Sequence, residues 1–193
     1  MFAELLRQHI DSIVILTQFQ ISQLQSHYQL LCRWNRVVNL TSIEDEEGVV
    51  ERHYCESLFL AAHMPVGGLR MADLGSGAGF PGIPLAVARP DCEITLVESH
   101  QRKAVFLHEA TRELKNVRVM AKRAQDISQD FDWTVSRAVK FNEIEGAASR
   151  LAPRVALLAG NEPPSQGRFT WNNPIQLPWG RQRFLWTGDI RST

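Results

Sequence analysis

A glycine-rich run in the first half of the sequence has the residue types of a ligand-binding turn. Asp73–Gly82 reads Asp-Leu-Gly-Ser-Gly-Ala-Gly-Phe-Pro-Gly and lies between a short apolar segment and a helical one. Glycines let the backbone turn sharply, and they let a ligand approach main-chain N–H groups without meeting a Cβ atom. The run therefore predicts a binding site at a strand-to-helix turn. The alternative interpretation is a tight connection that binds nothing.

Two acidic residues narrow the choice of ligand. Asp73 stands directly before the first glycine, where its carboxylate could receive an amino group, and Glu98 ends the next predicted strand, where it can accept both hydroxyls of a ribose. This arrangement resembles the S-adenosylmethionine-binding pattern of class I methyltransferases, whose cofactor carries an amino group but no pyrophosphate. Gly77, Gly79 and Gly82 also satisfy the G-x-G-x-x-G pattern of dinucleotide-binding proteins, so an NAD site stays an alternative. For Glu98 the alternative is a solvated strand end.

The segments after residue 68 alternate between strand-like and helix-like patterns. The predicted strands are Leu69–Leu74, Ile94–Val97, Val117–Met120, Trp133–Val135 and Val155–Ala159. The predicted helices are Pro81–Ala88, Arg102–Leu114 and Glu143–Leu151. Such alternation indicates βαβ units, so we expect an α/β fold with a mostly parallel sheet flanked by helices. The resemblance to class I methyltransferases implies that this fold is of their Rossmann-like kind. Beyond it, Pro163–Ser165, Pro174 and Pro178 predict a tail of short strands and loops.

Residues 1–64 predict helices only. Large side chains recur there at spacings of three and four, which is typical of an amphipathic helix with one buried face: Leu24, Tyr28, Leu31 and Trp34. After a turn at Asn39–Ser42, a second helix is predicted from near Asp45 to His63, with acidic residues at its positive end. Pro65–Gly68 marks a boundary. We therefore expect a helical extension over residues 1–64, packed on a binding domain over residues 65–193.

Charge and cysteine content exclude several classes of protein. The 193 residues hold 21 Lys plus Arg and 21 Asp plus Glu, which excludes a uniformly basic nucleic-acid coat. The charge is uneven, however: residues 1–96 carry six basic and eleven acidic side chains, and residues 97–193 carry fifteen and ten. Three cysteines without C-x-x-C spacing support neither a disulfide framework nor a zinc site. With no apolar stretch near the roughly 18 residues that span a bilayer, and no export signal, we expect a soluble cytoplasmic protein that uses no membrane and no metal.

Further motifs give the chain a more specific resemblance. In collinear order from about Leu30 to Gly160 stand Trp34-Asn35, Asn39–Ser42, Arg52-His53 with Glu56-Ser57, Asp73–Pro84, Arg123-Ala124 and Ser136–Ala138. Together they resemble the bacterial 16S ribosomal RNA guanine-N7 methyltransferases, also called glucose-inhibited division protein B. The stretch Gly79-Phe80-Pro81-Gly82-Ile83-Pro84 is far more specific than a generic glycine loop.

The resemblance implies a cofactor, a partner and a set of site residues. The cofactor would be S-adenosylmethionine, bound through Gly75, Phe80, the Ala124-Gln125 backbone and Arg137, with Asp73, Gly77 and Glu98 in the same pocket. The partner would be 16S ribosomal RNA or the small ribosomal subunit, with guanine 527 as the family's target, and we expect the protein to be a monomer. Catalytic roles are expected for Arg137, Arg52 and His53. The alternatives are a structural salt bridge for Arg137 and a packing role for His53.

Three positions depart from the family pattern. Glu56 stands where the family usually has Asp, Gln125 where Glu is common, and Ala159 where Lys is usual. Glu56 changes the reach of the side chain, and Gln125 changes its charge. The third removes an amine at the end of the fifth strand and with it a candidate contact to RNA or to the active site.

The chemistry implied by the resemblance makes few demands on the protein. Guanine N7 carries a free lone pair on the major-groove edge, so attack on a sulfonium methyl needs no general base. Catalysis is then mainly alignment, which gives about 7–11 kcal/mol in well-oriented systems. Basic residues are candidates for phosphate contacts, namely Arg102, Lys103, Lys122, Arg123, and Arg181 and Arg183 near Trp179 and Trp186. Phe80 is a candidate for stacking on a splayed base or, equally, for packing.

The sequence leaves two hypotheses of other classes open. The Gly77, Gly79 and Gly82 match allows an NAD-dependent oxidoreductase. The departures at Gln125 and Ala159, with the proline-broken tail, allow a non-catalytic ribosome-binding relative that kept the fold and lost turnover.

Overall fold

The computed structural model describes residues 1–43, 45–162, 164 and 167–191. Pro163 and Ser165, which the sequence places in the tail, lie outside the described residues. The N-terminal part is helical: α1 is Phe2–Ile10, α2 is Gln18–Asn35, α3 is Glu46–Val49, a π-helix spans Val50–Cys55, and α4 is Glu56–His63. Three further helices follow: α5 at Gly82–Ala88, α6 at Gln101–Ala110 and α7 at Phe141–Leu151.

The strands form one mixed sheet. They are β1 Arg70–Leu74, β2 Glu93–Val97, β3 Val117–Met120, β4 Trp133–Arg137, β5 Arg154–Ala159, β6 Phe169–Trp171, β7 Ile175–Gln176 and β8 Phe184–Ile190. Their order is β3-β2-β1-β4-β5-β8-β6, with β7 also paired to β8. The first five are parallel neighbours, and β8 runs antiparallel to β5. The expected α/β fold with a mostly parallel sheet is confirmed.

Each face of the sheet is covered by different helices. Alternate residues of a strand point to opposite faces of the sheet. Met71 and Leu96 therefore pack on the face covered by the helices up to α6, whereas Ala72 and Leu74 pack on the face covered by α7. Buried residues of α1, α2 and α4 share one continuous core with the sheet, including Leu6, Leu24 and Leu58. The N-terminal helices therefore have no separate core of their own.

The helical predictions are largely confirmed, with three corrections. In α2 the side chains of Leu24 and Leu31 are buried, while Tyr28 and Trp34 are only partly buried, because His27 takes a central buried place. The second predicted helix begins at the cap Asp45, whose side chain accepts a hydrogen bond from Gly48 N, but it passes through the π-helix between α3 and α4. Helix α6 ends at Ala110, four residues before the predicted end.

Candidate functional site

The glycine run forms the turn between β1 and α5 and closes around Asp73. Gly75, Gly77 and Gly79 have φ angles of +73°, +59° and +88°, values that favour glycine over residues with a Cβ atom. Ser76 Oγ donates to Asp73 Oδ2 over 2.7 Å and Gly82 N donates to the same oxygen over 3.0 Å. Asp73 therefore fixes both the beginning and the end of the loop.

The second carboxylate oxygen of Asp73 has no partner. Asp73 is fully buried, and its Oδ1 is a buried atom without a hydrogen-bond donor among the described residues. Burial raises the pKa of the Asp73 carboxyl to about 7, although the bonds from Ser76 and Gly82 act in the opposite direction. A buried carboxylate oxygen without a donor favours a cationic or N–H-bearing partner.

Glu98 folds onto the same loop. Its Oε2 accepts from Gly77 N at 2.9 Å and its Oε1 accepts from His100 N at 2.7 Å, and the residue is 8% exposed. Glu98 is therefore not a simple solvated strand end. Each carboxylate oxygen has a further lone pair, so these bonds leave acceptor capacity for a ligand hydroxyl.

One cleft opens beside this loop and a second adjoins it at the carboxyl edge of the sheet, where open α/β sheets bind ligands. The β2–β3 cleft has a volume of about 560 Å³ and is lined by Gly75, Val97, Ser99, Lys122, Arg123, Ala124, Gln125, Asp126, Val139, Glu143 and Ile144. The β4–β5 cleft, of about 540 Å³, is lined by residues 136–142, 157–160, 162 and 164 and by Arg183. Val139 lines both clefts, so the two cavities are neighbours.

Ala124 and Gln125 bring backbone groups to the β2–β3 cleft. Ala124 and Gln125 begin a 3₁₀-helix at Ala124–Asp126. Their carbonyl oxygens accept from Arg150 Nη2 at 3.1 Å each. Their N–H groups lie at the start of the helix, where no preceding turn supplies an acceptor. The predicted contribution of this backbone to a ligand site is therefore geometrically available.

Glu56 gathers three arginines from distant parts of the chain. Its side chain is completely buried at the start of α4. Arg183 binds it bidentately, with Nε to Oε1 at 2.9 Å and Nη2 to Oε2 at 2.7 Å. Arg137 Nε lies 3.3 Å from Oε2, and Arg52 Nε lies 3.4 Å from Oε1. We call these four residues the Glu56 cluster.

The backbone just after Arg137 is strained. Ala138 has a φ angle of +61°, a left-handed conformation that is costly for a residue with a Cβ atom. It turns the chain sharply at the end of β4, and Ala138 itself lines the β4–β5 cleft beside Arg137. Strain of this kind is frequent at functional sites.

His53 and Phe80 lie beneath the site. The two rings stack with centroids 4.7 Å apart, and His53 and Phe80 are 5% and 4% exposed. Thr41 Oγ1 lies 2.7 Å from His53 Nε2. Burial, with the charges of Arg137 and Arg52, lowers the pKa of His53 to about 3, so the ring is neutral at physiological pH. Of the two interpretations of Phe80, the structure favours packing over base stacking.

The predicted phosphate contacts lie in different elements: Arg102 and Lys103 in α6, Lys122 and Arg123 after β3, and Arg181 before β8. Arg102, Lys122, Arg123 and Arg181 are exposed or half-buried, as is Lys103, and of these Lys122 and Arg123 line the β2–β3 cleft. Arg183 lines the β4–β5 cleft and is also paired with Glu56. The nearby rings of Trp179 and Trp186 are 9% and 6% exposed, which leaves little of either ring for stacking on a base.

Sequence reasoning missed three features of this site. In the sequence, Glu56 belongs to a family motif and departs from its usual Asp, but nothing in its local sequence indicates that it binds Arg137 and Arg183. The loss of an amine at Ala159 has a different meaning in the structure. Ala159 is the cross-strand partner of Phe184, so Arg183 places a guanidinium in the same cleft.

A third missed feature is His27, which connects α2 to the glycine loop. Its Nε2 lies 3.0 Å from Ala78 O and its Nδ1 lies 2.9 Å from the Tyr54 hydroxyl. Burial lowers the pKa of His27 to about 4. In the sequence, the only feature that could indicate this role of His27 is its position on the apolar face of a predicted helix.

Solved structures share this fold at low sequence identity. A methyltransferase from Aquifex aeolicus, described as SAM-dependent, covers 79% of this chain and 97% of its own at a TM-score of 0.60 and 14% identity. Magnesium protoporphyrin IX methyltransferase from Synechocystis, with bound SAM, covers 91% and 98% at a TM-score of 0.61 and 14% identity. These similarities establish a class I, Rossmann-like methyltransferase fold.

Sequence relatives are much closer. Proteins named ribosomal RNA small subunit methyltransferase G are 42% identical over 144 residues in Chromobacterium violaceum, 44% over 128 in Nitrosomonas europaea and 37% over 171 in Nitrosococcus oceani. The matches cover 72%, 64% and 86% of this chain and 68%, 58% and 77% of those relatives. The family described as GidB, rRNA small subunit methyltransferase G, matches residues 20–155. With that match spanning well over half of the 193 residues, the chain belongs to the GidB family, as its motifs led us to expect.

Proposed function

We propose that this chain is an S-adenosylmethionine-dependent methyltransferase that acts on N7 of a guanine in 16S ribosomal RNA. The observation that carries the proposal is the pair of adjoining clefts at the carboxyl edge of the sheet, one beside the glycine loop and one beside the Glu56 cluster. Two neighbouring cavities suit a reaction that brings a methyl donor and a base together. Membership of the GidB family supports this donor over NAD and supports a ribosomal RNA substrate.

The residues beside the glycine loop fit S-adenosylmethionine. Asp73 Oδ1 is a buried acceptor without a donor among the described residues, which suits an ammonium group. A Cβ atom built on Gly77 would meet only Gly75 O, at 3.8 Å, so the loop leaves open space there for a ligand. Glu98 retains acceptor capacity for ribose hydroxyls, and Ala124 and Gln125 offer backbone N–H groups. When bound, the cofactor supplies a methyl group activated by a sulfonium.

The groups around the β4–β5 cleft suit an acceptor that needs no deprotonation. Among the described residues that line it, Glu162 is the one carboxylate, and it is exposed. Arg137, Lys140 and Arg183 contribute cations. Guanine N7 is a nucleophile without losing a proton, so this mainly cationic lining is compatible with N7 attack. The role of the chain is to orient the base and exclude water.

Roles follow for the residues predicted to be catalytic. Arg137 lines the β4–β5 cleft, a position that supports a direct contact with the substrate. Arg52 holds Glu56 from a more exposed position, and His53 supports Phe80 from below, so both act as positioning residues. We further propose a monomer that works in the cytoplasm, where its ribosomal substrate resides, with the family's guanine 527 as the target.

The proposal is tested with the purified full chain, radiolabelled S-adenosylmethionine, and either naked 16S RNA or 30S subunits that lack the modification. We expect label in one nucleotide, recovered as N7-methylguanine after digestion. Calorimetry with S-adenosylhomocysteine measures cofactor binding separately. Binding of that ligand without methyl transfer to either substrate would favour a non-catalytic ribosome-binding relative, and the absence of binding would contradict the cofactor assignment.

A further inference from the structure

The Glu56 cluster carries more positive charge than its carboxylate can neutralise. Three guanidinium groups, on Arg52, Arg137 and Arg183, surround one buried carboxylate at N···O distances of 2.7 to 3.4 Å. Arginine stays protonated in proteins, so the cluster has a formal charge of +2. A single bidentate arginine would be enough to balance Glu56, and Arg183 already binds in that way. The other two cations repel it and each other unless a further anion joins them.

Unused guanidinium donors of the cluster belong to two residues that line the same cleft. Arg137 uses only Nε toward Glu56, and among the described residues nothing accepts from its Nη1 or Nη2. Arg183 uses Nε and Nη2, which leaves Nη1. Both residues line the β4–β5 cleft, and their side chains are 9% and 21% exposed. The cleft therefore contains fixed, partly desolvated guanidinium donors that no acceptor in the described part of the chain satisfies.

Glu56 makes these donors rigid. Its bidentate contact fixes the plane of the Arg183 guanidinium, and its bond to Nε fixes that of Arg137. A preorganised planar guanidinium loses little conformational entropy when it binds a tetrahedral oxyanion, and arginine is well suited to phosphate for this reason. Arg183 precedes β8 and lies outside residues 20–155, the range that the GidB family pattern covers. This part of the site is therefore not contained in the family match.

The geometry points to an oxyanion-binding site, formed by Arg137 and Arg183 and held by Glu56, that takes a backbone phosphate of the RNA next to the base being methylated. The inference rests on the proposed function for the identity of the RNA but not for the binding of phosphate. The carboxylate of the cofactor has related chemistry and, because the family resemblance assigns Arg137 to the cofactor, it is the other source of an anion for this site. The two sources are distinguished by whether loss of Arg183 weakens RNA binding or cofactor binding.

The first measurement uses inorganic phosphate and needs neither RNA nor cofactor. We expect sodium phosphate, compared with sodium chloride at equal ionic strength, to raise the Tm of the wild-type chain by about 3 °C. The increase should be much smaller in Arg183→Ala and unchanged in Arg118→Ala. Arg118 is the matched control because it is an exposed arginine on the edge strand β3 and lines neither cleft. Equal increases in all three proteins would overturn the site.

The second measurement uses an RNA fragment or 30S subunits with saturating S-adenosylhomocysteine. Arg183→Ala should weaken RNA binding by about tenfold and reduce the slope of log K against log salt by about 0.7 to 1, because one phosphate contact is lost. Arg183→Lys should keep the slope but not the full affinity, since a lysine keeps the charge without the planar fork. Affinity for S-adenosylhomocysteine should stay within about twofold of wild type.

Two results would contradict the inference. A fall in cofactor affinity with an unchanged salt slope would show that the arginines bind the cofactor carboxylate. RNA binding equal to that of Arg118→Ala would show that the cluster is only a structural ion network. Phosphate and RNA binding that follow Arg183, in a chain that makes no N7-methylguanine, would refute the proposed function while leaving the phosphate site intact.

Discussion

The glycine loop and the Glu56 cluster lie at the same edge of the sheet but are built from different parts of the chain. In the loop, the side-chain bonds of Asp73 and Glu98 join residues 3, 9 and 21 positions apart. In the cluster, Glu56 binds Arg137 and Arg183, which are 81 and 127 positions away. The loop is thus closed by nearby sequence, whereas the cluster exists only after the N-terminal helices have packed against the sheet.

The two regions also differ in how they accommodate sharp turns. In the loop, each residue with a left-handed φ angle is a glycine, namely Gly75, Gly77 and Gly79. At the β4–β5 cleft the corresponding residue is Ala138. The loop therefore adopts its turns without backbone strain, whereas the β4–β5 cleft beside the Glu56 cluster contains a strained residue, Ala138. Four substitutions test this contrast.

The largest effect is expected for Glu56→Gln. Removing the buried charge leaves Arg137 and Arg183 without their shared counterion, which destabilises the fold by about 3 kcal/mol. Urea unfolding measures the loss. The control is Arg52→Ala, whose partner contact is longer and whose side chain is 45% exposed, and which should cost less than about 1 kcal/mol. Equal costs for the two variants would contradict the long-range role of Glu56.

Gly77→Val should abolish cofactor binding while leaving the chain folded. A Cβ atom at this position meets no protein side chain, so a valine fills the ligand's space and adds only about 1–2 kcal/mol of backbone strain at a φ of +59°. Calorimetry with S-adenosylhomocysteine should show at least a hundredfold loss of affinity. Gly146→Val, in α7 with open space around its Cβ position, is the matched control and should bind normally. Unchanged affinity in folded Gly77→Val would show that the loop is not the binding site.

Asp73→Asn should remove a pH dependence from both the stability of the chain and its affinity for S-adenosylhomocysteine. Burial raises the pKa of Asp73 from 3.8 to about 7 in the folded chain, so its contribution to stability is complete below about pH 4 and is lost as the pH rises toward 7. An ammonium group at Oδ1 favours the ionised carboxylate. Affinity for S-adenosylhomocysteine should therefore fall by up to about tenfold per pH unit below about pH 7.

The Asp73→Asn variant carries no charge at this position, so its affinity at pH 8 should be lower than that of wild type and nearly flat with pH. Its stability should also lack the decline between about pH 4 and 7 that the aspartate contributes. Parallel pH profiles of the two proteins would mean that Asp73 serves only to close the loop.

The smallest effect is expected for Ala138→Gly. Glycine removes the strain at a φ of +61° but is more flexible when unfolded, so the net stabilisation should be at most about 1 kcal/mol. Thermal unfolding measures it. A decrease in methyl transfer at unchanged stability would show that the fixed turn aligns Arg137. A clear destabilisation would contradict the strain at this residue.

Much of the loop and of the sheet could be predicted because both depend on short-range patterns. Asp73–Gly82 combines an acid with closely spaced glycines, and the alternation of strands and helices specifies a parallel sheet. The π-helix at Val50–Cys55 could not be predicted in this way. A π-helix changes the angle between successive side chains, but the residue pattern of this segment is that of an ordinary α-helix. The segment contains Arg52 and His53, just before Glu56.

The sequence by itself determined the fold class, the glycine-rich turn between β1 and α5 and the family, since these depend on residue types at fixed spacing along the chain. Only the tertiary structure decided that Glu56 is buried among three arginines, that Arg183 stands beside Ala159, and that His53 and Phe80 lie beneath the site. The physical reason is that burial and charge pairing depend on which distant segments meet. Strand β8 runs antiparallel to β5 and so brings the guanidinium of Arg183 into the cleft that Ala159 lines, where β5 itself carries no cation.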